Sequence, residues 1–312
     1  MNRGEGNPPF QFTDREAAAP TGLTSNRPRA RSISLRSFLR PALATLVLAR
    51  VLLGSAPVHA LPPNTDLIVS AAISLQNTLQ DIARLYHAEN PNVTVHLNLG
   101  ASGTLQRQIE QGAPVDLFLS ASPVEMNALE SKNLIVRETR RNLVTNSVVL
   151  IVPKGEGGIS HFQDLTKPAV RIIAIGNPQS VPAGKYAEEV LTHFGLYDRL
   201  KPKFALAKDV RAVLTYVETG NADAGIVYET DALTSKTVTV VLTAPPGSHS
   251  PVTYPVAVIA GSRNAAAAEA FETFLFGPKA SSVFRSCGFN PVSSSTHAGA
   301  PRGSVPSGIR RP

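Results

Sequence analysis

Between residues 66 and 260, short apolar runs rich in β-branched residues alternate with stretches whose apolar residues recur at helical spacing. No other feature constrains the fold as tightly. The spacing predicts strands at 67–69, 93–99, 116–119, 147–152, 172–175, 224–228, 238–242 and 255–259. It predicts helices at 74–87, 105–111, 123–131, 183–194, 210–219 and 265–276, three of them stopped by Gly112, Gly195 and Gly220. A chain alternating in this way stacks helices on sheets, so the expectation is an α/β protein with mostly parallel sheets. No internal repeat is visible. In such sheets, ligands bind beyond the carboxyl ends of strands, where helices begin.

A net charge of +7 over 312 residues raises the question of a nucleic-acid partner. The charge sits at the ends. Residues 1–60 hold eight Arg and three acids, and residues 293–312 hold three Arg and no acid. Residues 61–292 keep 19 basic and 20 acidic side chains, which removes the case for a nucleic-acid partner. Residues 31–60 read as an export signal: Arg31, Arg36 and Arg40, an apolar stretch from Pro41 to Leu53, then Val58-His59-Ala60 with small residues at the cleavage positions. The expectation is a periplasmic protein cleaved after Ala60, preceded by an over-extended start or a disordered leader at 1–30. Arg50 interrupts an apolar run already short for a membrane span. The Ser-, Gly-, Pro- and Arg-rich tail at 293–312 is expected to be disordered. Cys287, the only cysteine, has no internal disulfide partner and reads as a small apolar residue.

Four strand-to-helix loops place hydroxyls or bare amides at helix starts: 71–74 with Ser74 at an N-cap, 100–104 with Ser102, 177–184 with Pro182 at the first helical position, and 208–211 with Asp209 at an N-cap. Unpaired N–H groups and the positive end of the helix dipole make an anion site without any cation. Ser and Asp cap helices everywhere, so one such loop means little. Four of them in one exported chain carry more weight. Tyr228, at the end of an apolar strand, adds a fifth donor.

The segments SAAISLQNTLQDIA at 70–83, GASGTLQRQIEQGAPVDLFLSA at 100–121, NPQSVPAGKYAEEVL at 177–191, DVRAVLTYVETGNADAGIVYETDA at 209–232 and YPVAVI at 254–259 resemble the periplasmic molybdate-binding proteins of ABC-type transporters. The resemblance covers residues 66–292. It implies a two-lobed, periplasmic-binding-protein-like fold of type II, each lobe a mixed, mostly parallel sheet flanked by helices, with a hinge between them. Lobe 1 is expected at 61–146 plus 231–292 and lobe 2 at 147–230, with crossings near 146–147 and 230–231. By the resemblance, molybdate (or tungstate) would be held by Ser74 and Ser102 from the first lobe and by Ala183, Val210 and Tyr228 from the second. The resemblance further implies membrane subunits of an ABC importer as partners, a monomer, no cofactor, no metal bound directly by protein ligands, and no catalysis.

A fully deprotonated dianion offers only acceptors, so a site built only of donors suits it and excludes an anion that carries a proton. Sulfate fits that logic as well as molybdate does, and the resemblance alone favours molybdate over a sulfate receptor. Other readings fail on particular residues. Gly184-Lys185 suggests a P-loop, yet Gln179 and Tyr186 stand where Gly and Ser or Thr are required. The seven His residues are scattered without ligand spacing, and no nucleophile elbow is present. A cofactor-carrying enzyme on the same architecture needs a cysteine in the cleft, and Cys287 lies near the chain end. A transcription regulator needs a helix-turn-helix, and residues 1–60 are broken by prolines.

Overall fold

The computed structural model describes residues 64–292. The export signal with its cleavage after Ala60, and the tail at 293–312, lie outside the described residues.

The first sheet is built from β1 (Thr65–Ala72), β2 (Val93–Gly100), β3 (Leu117–Leu119), β4 (Arg141–Thr145), β10 (Thr253–Val258) and β11 (Asn290–Pro291), in the order β11-β4-β10-β3-β1-β2. β1 runs parallel to both its neighbours, and Leu67, Val69 and Ala71 are wholly buried. Helix α1 (Gln76–Glu89) places Leu79, Ile82 and Tyr86 on one buried face. Tyr86 meets Phe271 and Phe274 of α8 (Ala265–Leu275) edge-on, with centroids 4.9 and 5.1 Å apart. Helices α2 (Ser102–Glu110) and α3 (Pro123–Ser131) enclose a satellite core around Phe118, Met126 and Ile109.

The second sheet holds β5 (Val148–Pro153), β6 (Ile173–Gly176), β7 (Phe204–Ala207), β8 (Ala224–Tyr228) and β9 (Val238–Thr243), in the order β7-β6-β8-β5-β9. Helices α4 (Pro182–His193) and α6 (Val210–Glu218) follow β6 and β7, with the single turn α5 (Tyr197–Leu200) between them. A second single turn, α7 (Glu229–Ala232), follows β8, and α9 (Pro278–Ser286) leads into β11. This is the two-lobed, type II arrangement of mixed sheets flanked by helices.

Antiparallel pairing is more extensive than the strand–helix alternation predicts. β10 runs against β3 and β4, and β5 against β8 and β9. Of these, β4, β5, β9 and β10 flank the places where the chain passes between sheets, so no strand–helix–strand unit sets their direction. The outgoing crossing joins β4 to β5 through Asn146 and Ser147. The return differs from the expected 230–231. β9 pairs with β5 (Val149 opposite Thr243, Pro153 opposite Val238), so residues 231–243 pack with the second sheet and the chain returns between Thr243 and Thr253. An edge strand carries no local sign of which sheet it joins. In β10, Pro255 has no N–H for the ladder, and the register with β4 slips between Tyr254 and Pro255.

Candidate functional site

A small cavity lies where the carboxyl ends of the strands in both sheets face one another. Its walls are Ala72, Ile73 and Ser74; Gly100, Ala101 and Ser102; Ala121; Val181 and Pro182; Val210; and Tyr228. It is small, with ≈ 10 Å³ for the centre of a water-sized sphere, about the room of one water and none for an extended metabolite. No charged side chain lines it. A larger neighbouring groove of ≈ 410 Å³ runs past Val124, Pro182, Tyr186 and Pro251. None of the orphaned buried polar atoms among the described residues belongs to the groove's lining, whereas the cavity contains one, the Tyr228 hydroxyl.

Four of the five expected site residues, Ser74, Ser102, Val210 and Tyr228, share this cavity. Ala183 does not reach its wall; Pro182, the residue before it and the first of α4, does. Backbone bonding at the helix starts begins beyond these residues, with Thr104 and Leu105 donating to Ala101 O, and Gly184 and Lys185 to Val181 O. Ala212 N–H donates to the Asp209 carboxylate at 2.8 Å, the N-cap expected for α6. Among the described residues, the N–H groups of Ser102, Ala183 and Val210 therefore have no protein acceptor.

Close packing holds these starts in place. A Cβ on Gly184 would stand 2.0 Å from Gly176 O, so only glycine lets α4 begin against the end of β6. A Cβ on Gly103 would stand 2.7 Å from Ser180 O, to which the Gly103 N–H donates at 3.1 Å. That bond joins the two lobes beside the cavity. It also means that the loop at 100–104 presents the Ser102 N–H to the cavity, while the Gly103 N–H is engaged elsewhere.

The hydroxyls are held differently from one another. Ser102 Oγ, fully buried, accepts from Ala121 N–H at 3.0 Å, which leaves its own proton to donate. Ser74 departs from expectation: it is not an N-cap. It lies inside a 3-10 turn, Ile73–Leu75, that precedes α1, and its Oγ is 3.1 Å from Tyr254 Oη. The Tyr228 ring sits edge-on to Tyr186 and Tyr254, with centroids 6.3 and 5.9 Å away. Burial, then the neighbouring phenol Tyr254, push the Tyr228 phenol well above its usual range, so it keeps its proton to donate.

Behind the second-lobe wall, Asp231 and Arg211 are 2.8 Å apart. Asp231 is wholly buried, and the contact is an ion pair rather than a well-aligned hydrogen bond. Burial pushes the Asp231 carboxyl up to about 6 against the opposing pull of Arg211. The pair ties the turn after Tyr228 to the helix that begins at Val210. Tyr254 and Asn146, which stand next to the site, were not anticipated as site-related. Tyr254 opens the YPVAVI segment, but nothing local ties it to a serine 180 positions earlier.

A model of the family described as bacterial extracellular solute-binding proteins matches residues 67–290. The chain is 42% identical over 224 residues to the putative ABC transporter substrate-binding lipoprotein YvgL of Bacillus subtilis, covering 72% of this chain and 85% of that one. It is 42% identical over 236 residues to the molybdate-binding protein ModA of Escherichia coli, covering 74% and 91%. Among solved structures, the substrate-binding domain of a putative molybdenum ABC transporter from Clostridium difficile superposes with a TM-score of 0.59 at 45% identity, covering 73% of this chain and 99% of that one. With its fold, its cavity between sheets and these relatives, the chain belongs to the bacterial extracellular solute-binding protein family.

Proposed function

We propose that this protein captures molybdate, and tungstate with it, in the cavity between its lobes and delivers it outside the cytoplasm to the membrane subunits of an ABC importer, without catalysis. One observation carries the reading. The polar groups around a small cavity with no charged lining are uncharged donors drawn from both lobes, and one of them, the buried Tyr228 hydroxyl, has no protein partner among the described residues. Removal from the cytoplasm would use the signal at 31–60, cleaved after Ala60.

In this reading Ser74 and Ser102 donate from the first lobe. The Val210 N–H and the Tyr228 hydroxyl donate from the second, joined by the unpaired N–H of Ala183, one residue behind the Pro182 wall. Each hydrogen bond to a charged acceptor contributes about 1.5–3 kcal/mol, and several together offset the dianion's desolvation. The absence of cations in the wall suits a weakly basic, fully deprotonated anion, which needs many modest donors and no proton exchange. Contacts from both sides favour the closed arrangement, the shape an importer can recognise.

Thermal unfolding with molybdate, tungstate, sulfate and phosphate in parallel tests this. A ligand at 100 times its dissociation constant adds about 2.7 kcal/mol of stability, so molybdate and tungstate should raise the melting temperature at concentrations where sulfate and phosphate do not. Stabilisation by sulfate first, or by none of the four, would overturn the proposal.

A further inference from the structure

The direction of one hydrogen-bond chain beside the cavity is fixed by its far end. Asn146, in the outgoing crossing between the lobes, accepts the Ser147 N–H at its Oδ1, 2.9 Å away, which turns its Nδ2 toward the site. Nδ2 donates to Thr230 Oγ1 at 2.8 Å and to Tyr254 Oη at 3.3 Å. An amide nitrogen has no acceptor to offer. Tyr254 is wholly buried, and among the described residues its Oη has only two polar neighbours, Asn146 Nδ2 and Ser74 Oγ. Its proton therefore goes to Ser74 Oγ. The Ser74 hydroxyl, with Tyr254 donating into it, turns its own proton to the cavity.

We propose that Tyr254, set by Asn146 of the hinge, is a specificity-determining positioning residue that turns the Ser74 proton to the ligand and so disfavours oxyanions that carry a proton. The assignment rests on the oxyanion reading above. For Ser74 to accept a proton from a ligand such as hydrogen phosphate, its own proton would have to turn away from the ligand, and the one protein partner its Oγ has among the described residues is Tyr254 Oη; turned anywhere else, it is buried without an acceptor. Turned to Tyr254 Oη, it would leave the Tyr254 proton facing the Asn146 amide hydrogen, donor against donor, in a buried place. The relay also starts in the crossing segment, where one amide nitrogen holds Thr230 of the second lobe and Tyr254 of the first. The polarity of a ligand-facing group is thereby tied to the geometry of the hinge.

Calorimetric titration of the full chain with sodium molybdate and with inorganic phosphate tests this through a double-mutant cycle. Tyr254→Phe should weaken molybdate binding about tenfold, the worth of one hydrogen-bond arrangement to a charged ligand. In a Ser74→Ala background the same change should cost nothing further, because Tyr254 acts through Ser74. Unchanged affinity in Tyr254→Phe, or an equal loss in both backgrounds, overturns the assignment. Asn146→Asp supplies a second reading should Tyr254→Phe fail to fold. Its carboxylate accepts where the amide donated and lets the chain reverse, so the ratio of molybdate to phosphate affinity should fall by about tenfold or more. Titrated at alkaline pH, where phosphate like molybdate is a dianion, added charge alone weakens both anions alike, so an unchanged ratio overturns the assignment. Wild-type protein that binds no oxyanion would instead remove the oxyanion reading itself.

Discussion

The two walls of the cavity reach the same chemistry by opposite means. In the first lobe, beside the Ser102 N–H, the donors are serine hydroxyls whose oxygens are already engaged, Ser74 by Tyr254 and Ser102 by the Ala121 N–H. In the second they are backbone amides at helix starts, set by contacts as tight as that between Gly184 and Gly176, and a phenol held only by the rings around it. Hydrogen bonds orient one half-site, and packing orients the other. Substitutions should therefore fail differently on the two sides. A polar change in the first wall strands a buried partner, whereas a change of shape in the second moves the backbone itself.

The sharpest break in this contrast is Gly184→Ala. The new methyl would meet a backbone oxygen with no side chain to swing aside, so the start of α4 has to shift. Overpacking of this kind costs about 1–3 kcal/mol or more, and molybdate affinity should fall by two orders of magnitude or so as the Ala183 amide and Pro182 are displaced. Melting temperature and calorimetry together check it; wild-type values for both would mean that packing does not set this wall.

Ser102→Ala comes next. It removes a donor and leaves the buried Ala121 N–H without an acceptor, so it should lower both ligand affinity and the stability of the ligand-free protein, the latter by about 1–3 kcal/mol. Tyr228→Phe is its counterpart in the second wall. The lost hydroxyl has no protein partner among the described residues, so affinity should fall about tenfold to a hundredfold while the ligand-free melting temperature holds or rises. Equal stability losses in the two variants would erase the distinction between the walls.

The smallest expected effect lies behind the second wall. The Asp231 carboxyl is raised from 3.8 to about 6, so between these values the folded protein binds more protons than the unfolded chain. Stability should accordingly fall as pH rises from about 4 to about 6 and level off above, a dependence that Asp231→Asn should flatten. Melting curves across that range for both proteins give the comparison.

The site loops were legible in the sequence because their signals are local. Pro182 marks the first turn of one helix and Asp209 caps another, and Gly195 and Gly220 close the same two. What was not legible depends on partners distant in the chain. Ser74 looks like a cap by its position, but its partner is Tyr254, contributed by the strand that follows the return crossing. β9 is a short apolar strand by its residues, and only its pairing with β5 assigns it to the second sheet. The bond from Gly103 to Ser180 needs both lobes in place before it exists. Periodicity reports which face of an element is apolar; it does not report which other element will cover it.

That last bond has a consequence for how strength and choice are divided. It runs from main chain to main chain, so whatever it contributes to keeping the lobes together is the same for every occupant that lets them meet. Such a uniform contribution raises the population competent to hold an ion and lifts all affinities by one common factor. Discrimination among ions then falls entirely to the hydroxyls and amides around the cavity, and evolution can retune retention time without disturbing recognition.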